Sequence, residues 1–161
     1  MRNFNIPVKY TLIVKEWSIN AGFGRQRDID GKCYYYDVKE IVVSGDFEGK
    51  EISNNTINGE VQITTISKNE IEKLINDVNN IDIGNDPKRT SEMAFIGKIS
   101  VDERYISAYI GISKDQLMTF LQMLSIPAQR VKVTIETYES STKIRHVSSI
   151  SYKIEKNSQC G

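Results

Sequence analysis

The chain is poor in the residues that most chemistry needs. It has one histidine, two cysteines, three prolines and one tryptophan in 161 residues, and its net charge is zero. With His146 alone, a histidine-rich metal site is excluded, and a Ser–His–Asp or Cys–His site would have to use that one ring. Two cysteines, Cys33 and Cys160, do not make a disulfide framework. No apolar run approaches the ~18 residues of a membrane-spanning helix. The opening MRNFNIPVKY has no apolar signal core, so a cytoplasmic location is the expectation. An abundance of Ile, Asn and Lys hints at an AT-rich bacterial or phage genome.

Known loops are missing as well. GFGRQ (22–26) lacks the third glycine of a dinucleotide loop, and no helix follows it. DIDGK (28–32) starts like a calcium loop but lacks its later acidic positions. There is no P-loop. Carboxylates are plentiful but unmarked by any partner, so they carry no acid–base signal. The chain reads as non-catalytic, with no cofactor and no metal.

What is present is a globule of ordinary composition, 39% hydrophobic and 26% charged, long enough to bury a core. One domain over 1–156 is expected, with 157–161 a frayed tail. Charge sign varies along the chain. Residues 1–32 hold six Lys/Arg against three Asp/Glu, 37–103 hold seven against fourteen, and 104–161 hold eight against four.

Two stretches nearly rhyme: ISKNEIEKLINDV from Ile66 and ISKDQLMTFLQML from Ile112, 46 residues apart. In each, a serine (Ser67, Ser113) precedes a Glu or Gln by three residues (Glu70, Gln116), which is the capping box of a helix start. Apolar residues follow at i, i+3, i+4, i+7: Ile71, Leu74, Ile75, Val78, and Leu117, Phe120, Leu121, Leu124. Two short amphipathic helices, about 68–79 and 114–125, are predicted, with Leu74 and Leu121 in the core. A strand-like run precedes each, EVQITTI and RYISAYIGI, so the chain reads as a strand–strand–helix unit used twice. This is either an old duplication or one local solution reached twice. The apolar phase of Val61 and Ile63 does not match that of Ile106, Ala108 and Ile110 at the same offset.

PVKYTLIVKEW, KCYYYDVKEIVV, RVKVTIETYE and TKIRHVSSISYKIE also read as strands, mostly alternating. Tyr34, Tyr36 and Val38 fall out of phase with Ile41 and Val43, so a bulge near Lys39 and Glu40 is expected. In the last strand, His146 falls in the apolar phase with Ile150, Tyr152 and Ile154. The fold class expected is α+β: a mostly antiparallel curved sheet or sandwich of about seven or eight strands, carrying the two helices. Residues 18–31, 46–59 and 79–91 are read as connections.

Binding features stand out more than catalytic ones. Phe23, between two glycines and beside Arg25 and Arg27, suits a contact made from a mobile loop; the alternative is a Phe that folds back onto the core. Tyr34–Tyr36 places at least one tyrosine, Tyr35 foremost, on an outward face, with Trp17 a candidate neighbour. Met118 and Met123 widen the apolar arc of the second helix, for burial or for an interface. Lys9, Lys15, Lys143, Arg145 and Lys153 could form one phosphate-attracting face if the first and last strands are neighbours. The expectation is a non-catalytic protein that binds another protein through a surface: an adaptor, an immunity-type inhibitor or a phage counter-defence protein. A homo-oligomer is a further option. The alternative is a nucleic-acid or nucleotide binder using the basic terminal strands.

Overall fold

The structure, a computed structural model, describes residues 7–49, 52, 55–67, 69–73, 96–127, 129–141 and 144–156. Seven strands follow in chain order: β1 (Val8–Arg27), β2 (Cys33–Glu48), β3 (Ile57–Thr65), β4 (Gly97–Val101), β5 (Ile106–Ile112), β6 (Gln129–Ser141) and β7 (Ile144–Lys156). Helix α1 is described over 69–73, and helix α2 (Lys114–Leu124) lies between β5 and β6.

The expected open sheet or sandwich is not what forms. The strands close into a barrel in the order β1-β2-β3-β5-β4-β7-β6, with β6 returning to β1 over Val8–Ile13. Alternation along a strand reports one wet face and one dry face, and a closed barrel satisfies that as well as a sandwich does. What closes it is long-range: Leu12 pairs with Val133 and Tyr10 with Ile135, and no local pattern announces such a pairing. Among the described residues strand predominates and the two helices are short, so the α+β expectation holds only loosely, with a mostly antiparallel barrel in place of a sheet or sandwich.

All neighbours are antiparallel except β3 and β5. That parallel pair explains the rhyme. Val61 lies beside Ala108 and Ile63 beside Ile110, an offset of 47 positions, while the caps Ser67 and Ser113 differ by 46. Ile66 is the extra step. Its N–H bonds to the Ile112 carbonyl at 2.9 Å, and its side chain covers Gly111. The mismatch of apolar phase seen in the sequence is therefore the true ladder register, and the two helices start side by side.

The interior is aliphatic. Leu12, Val43, Phe47, Val61, Ile63, Ile99, Ile110, Val133 and Ile135 are inaccessible to solvent. Gly59 lets the wall close around Phe47: a β-carbon there would overlap the Ile106 carbonyl and the Phe47 ring. The buried hydroxyl of Thr137 donates to the Val8 carbonyl at 3.0 Å, so that polar group is satisfied.

The cap of α1 is reciprocal, Glu70 N to Ser67 Oγ at 3.2 Å and Ser67 N to Glu70 Oε2 at 3.3 Å. In α2 only the Ser113 half is made, Gln116 N to Oγ at 3.3 Å. The Gln116 side chain instead accepts from the Tyr152 hydroxyl of β7. Leu117, Phe120 and Leu124 are the buried residues of α2, and Phe120 stacks on Tyr152 with centroids 4.6 Å apart. Leu121 is only half-buried, so the contact stripe is centred on Phe120 rather than on Leu121. Leu74, its expected counterpart, lies outside the described residues, as do 79–91 and the tail 157–161.

Three register shifts interrupt the ladders, none of them at Lys39. On β7, Glu136 pairs with Ser149 but Thr137 with Val147, which leaves Ser148 as the extra residue. Its hydroxyl donates to the Glu136 carbonyl at 3.2 Å. The phase flips there: Val147 is buried, and His146 turns to the outer face opposite exposed Lys98. His146 is thus not on the apolar phase. The second is on β1 between Val14 and Glu16, and the third on β6 between Glu139 and Ser141. On β2 the Lys39 and Glu40 pairing with Ala21 and Asn20 is unbroken, and positions 36 and 38 pair with Gly24 and Gly22.

Candidate functional site

β1 and β2 are longer than the barrel. β6 pairs with β1 only to Ile13, and β3 pairs with β2 only from Glu40. From Ala21 opposite Lys39 outward, β1 and β2 pair with each other alone, in unbroken register, to Arg27 opposite Cys33. The result is a two-stranded arm. The segment 18–31, expected as a connection, is therefore mostly strand, and only Asp28 to Lys32 turns the chain. There Gly31 N bonds to the Asp28 carbonyl and adopts φ +82°, and Lys32 N bonds to Asp28 Oδ1 at 2.8 Å. DIDGK is a hairpin tip in which Asp28 caps the turn. Asp30-Gly31 between β-rich runs is the sequence cue for it.

Because paired residues share a face, the arm's two faces can be read from the register. Buried Ile41 and Val43 define the face that continues the barrel interior, and Ile19 and Trp17 lie opposite them. Further out on the same face come Ala21 opposite Lys39, Phe23 opposite Asp37, and Arg25 opposite Tyr35. The interior stripe thus runs on into solvent. Phe23 is 73% exposed and Tyr35 is 72% exposed, and their rings stack at 5.9 Å with planes 12° apart. Arg25 Nη2 lies 3.2 Å from Cys33 Sγ, which holds the guanidinium beside this pair. Cys33 is an exposed free thiol, and Ile29 at the tip is entirely exposed.

The structure therefore gathers Phe23, Arg25, Arg27 and Tyr35 at the outer end of one arm. Phe23 neither folds back onto the core nor sits on a loop. Trp17 shares the face but not the neighbourhood: its partner Val43 is eight positions from Tyr35, about 27 Å along a strand. Ile29 and Cys33, which the sequence reading did not single out, belong to the same end. On α2, Met118 is largely exposed and Met123 half-buried, so the wide apolar arc is covered on one flank only.

The basic face does not assemble. β6 separates β1 from β7 around the barrel. Lys9 meets Glu136 at 3.9 Å, Lys15 meets Asp46 at 2.6 Å, and Lys132, beside Lys153, meets Glu155 at 3.2 Å. The Ser148 bulge puts Arg145 in the inward phase opposite buried Ile99, away from Lys153. Lys143 lies outside the described residues.

Where the arm meets the two helix starts, an open cleft of about 610 Å³ is lined by Asp37, Thr65, Ser67, Glu70, Lys114 and Asp115, among others. Its acidic rim disfavours an anion. On the outer wall, burial and the nearby Glu60 carboxylate raise the Tyr105 pKa above its usual value, and burial alone does so for Tyr152. Among the described residues no group of three or more His, Cys, Asp and Glu is placed to hold a metal. No helix among them is long and apolar enough to cross a membrane. No protein-family model, curated protein or solved structure matches the chain.

Proposed function

We propose that this is a non-catalytic binding protein that engages another protein through its arm, as an adaptor, an immunity-type inhibitor or a phage counter-defence protein in the cytoplasm of a bacterial host. The observation that carries the reading is the exposed Phe23–Tyr35 stack. Two aromatic rings held flat on a paired strand lose little conformational freedom on binding, and with an adjacent guanidinium they have the make-up of an interface hot spot. The arm adds nothing to the barrel core beyond its base, so an apolar outer face has no use in folding. The charges around it are mixed: Arg25 and Arg27 stand near Asp28, Asp30 and Asp37.

A triple variant, Phe23→Ala with Arg25→Ala and Arg27→Ala, tests it. The variant should keep the wild-type melting temperature and lose at least tenfold in affinity for a protein co-purified from the native host, measured by titration calorimetry. Unchanged affinity would sink the reading.

The second reading, nucleic-acid binding, loses its basic terminal face. It retains one observation in its favour: a two-stranded ribbon fits a major groove, and Arg25 and Arg27 lie near this ribbon's end. A gel shift at physiological salt would favour it if submicromolar binding were found and weakened steeply with added salt.

A further inference from the structure

Closure removes every edge from the barrel, and the arm reintroduces two. Among the described residues, β1 from Glu16 to Arg27 pairs with β2 on one side and with nothing on the other. An open edge offers unpaired N–H and C=O groups, and proteins guard such edges with charge, proline or bulges. The open edge of β2, Cys33 to Lys39, carries Asp37 and Lys39. That of β1 carries the charges of Glu16, Arg25 and Arg27 at its ends, and its middle is unguarded. WSINAGFG, residues 17–24, holds no charge and no proline, and residues 17–21 are all exposed.

We propose that this edge pairs antiparallel with the same edge of a second copy of the chain, about a two-fold axis at Ala21, joining two arms into one four-stranded sheet. The sequence is self-complementary about that point. With Ala21 opposite its own copy, Ile19 faces Phe23, and Trp17 faces Arg25. These are an aliphatic–aromatic cross-strand pair and a guanidinium against an indole, each made twice. On the other face Asn20 meets Gly22 and Ser18 meets Gly24, which is undemanding. Glu16 meets Gln26. Lys15, which would face Arg27, is already neutralised by Asp46 at 2.6 Å.

Other registers do worse. A shift of one residue puts the two apolar stripes on opposite faces. A shift of two one way sets Arg25 against Ile19 and Phe23 against Ala21; the other way pairs Trp17 with Phe23 but sets Lys15 against Arg25, and both lose the Ile19–Phe23 pair. A zero net charge means two copies do not repel at long range. The proposal rests on reading the arm as a binding surface. It joins the edges, flanking Phe23 and Arg25 with Ile19 and Trp17 of the second copy, and keeps the face of the Phe23–Tyr35 stack open, so two such stacks lie on one sheet.

An edge pairing of about eleven residues sits at the small end of protein interfaces, so affinity in the micromolar range is expected. Sedimentation equilibrium of the full chain should show a dimer at about 100 µM that dissociates toward about 1 µM. Ala21→Lys places like charges opposite each other on the axis. It should weaken the dimer at least tenfold without changing the melting temperature, because residue 21 lies outside the barrel. The register is read by Ala21→Cys in a Cys33→Ser, Cys160→Ser background. Opposed Cα atoms about 4.5–5.5 Å apart are within disulfide reach. That variant should cross-link under a mild oxidant, and Ser18→Cys in the same background should not.

A wild-type chain that is monomeric at about 100 µM, a dimer indifferent to Ala21→Lys, or a dimer that Ala21→Cys fails to cross-link overturns the pairing. If the chain is monomeric yet the triple alanine variant loses its partner, the arm remains a binding surface and the self-pairing alone is wrong. If neither measurement responds, both readings fall.

Discussion

Ile66 donates its backbone N–H to the carbonyl of Ile112, at 2.9 Å. Through that one bond the two near-identical helix starts are fixed side by side, each led in by one strand of the barrel's one parallel pair among the described strands. The two caps are chemically unequal, however. Ser67 takes part in two bonds with Glu70, whereas Ser113 accepts one from Gln116. Ser67→Ala and Ser113→Ala should each destabilise by about 0.5–2 kcal/mol, since each loses one side-chain cap bond, and Glu70→Ala should add a cost at α1 because Glu70 accepts from the Ser67 backbone N–H. Urea titrations of the three variants check the sizes.

Phe120 is the α2 residue whose loss should matter most. It is inaccessible to solvent and stacks on Tyr152. Phe120→Ala should cost about 3–5 kcal/mol, and Leu121→Ala, from a half-buried position, clearly less. Equal costs in denaturant melts would mean that the helix presents a different face.

At Gly59 the wall has no room. A methyl group would overlap both the Ile106 carbonyl, which belongs to the backbone and cannot swing away, and the Phe47 ring. Gly59→Ala should destabilise by about 1–3 kcal/mol despite its better intrinsic propensity. Gly59→Ala paired with Phe47→Leu should recover only the part due to the ring.

Tyr105 and Tyr152 have raised folded-state pKa values, the first from burial and then from Glu60, the second from burial. A raised pKa means that the folded state holds the proton more tightly than the unfolded chain. The resulting stabilisation is complete below about pH 10, the unfolded value, and is lost as pH climbs through the folded pKa. Ultraviolet titration should show Tyr105 and Tyr152 ionising above the ordinary tyrosine value, and Glu60→Gln should bring Tyr105 earlier.

How much of this could be read in advance depends on distance along the chain. Capping boxes and helix stripes are local, so Ser67, Ser113, Leu117 and Phe120 were legible. Strand alternation is local too, and it identified the β-rich runs, with Tyr10, Leu12, Val133 and Ile135 facing inward. Barrel closure depends on Val8–Ile13 meeting β6 more than a hundred residues later, and nothing local encodes that. The Ser148 bulge hid in the same way: Val147 and Ile150 are both apolar, and only the register of β6 shows that one residue between them is unpaired. At the candidate site, residue types pointed to Phe23, Arg25, Arg27 and Tyr35, but glycines in GFG suggested a loop. They are strand residues, and Trp17, Ile19, Ala21 and Phe23 already alternated with small or polar neighbours.

The closing ladder also sets an order of events during synthesis. The arm hairpin joins residues close in sequence, Arg27 to Cys33 at its tip, and can form as soon as both strands leave the ribosome. The β1–β6 seam joins Thr11 to Thr134, a separation of 123 residues, so the barrel stays open until β6 has emerged. Through most of translation, the barrel half of β1 is therefore as bare along its edge as the arm half is in the finished molecule. High contact order of this kind places refolding on the millisecond-to-second scale. It also makes the nascent chain, before β6 arrives, the form most exposed to aggregation and to trigger-factor-like holding chaperones.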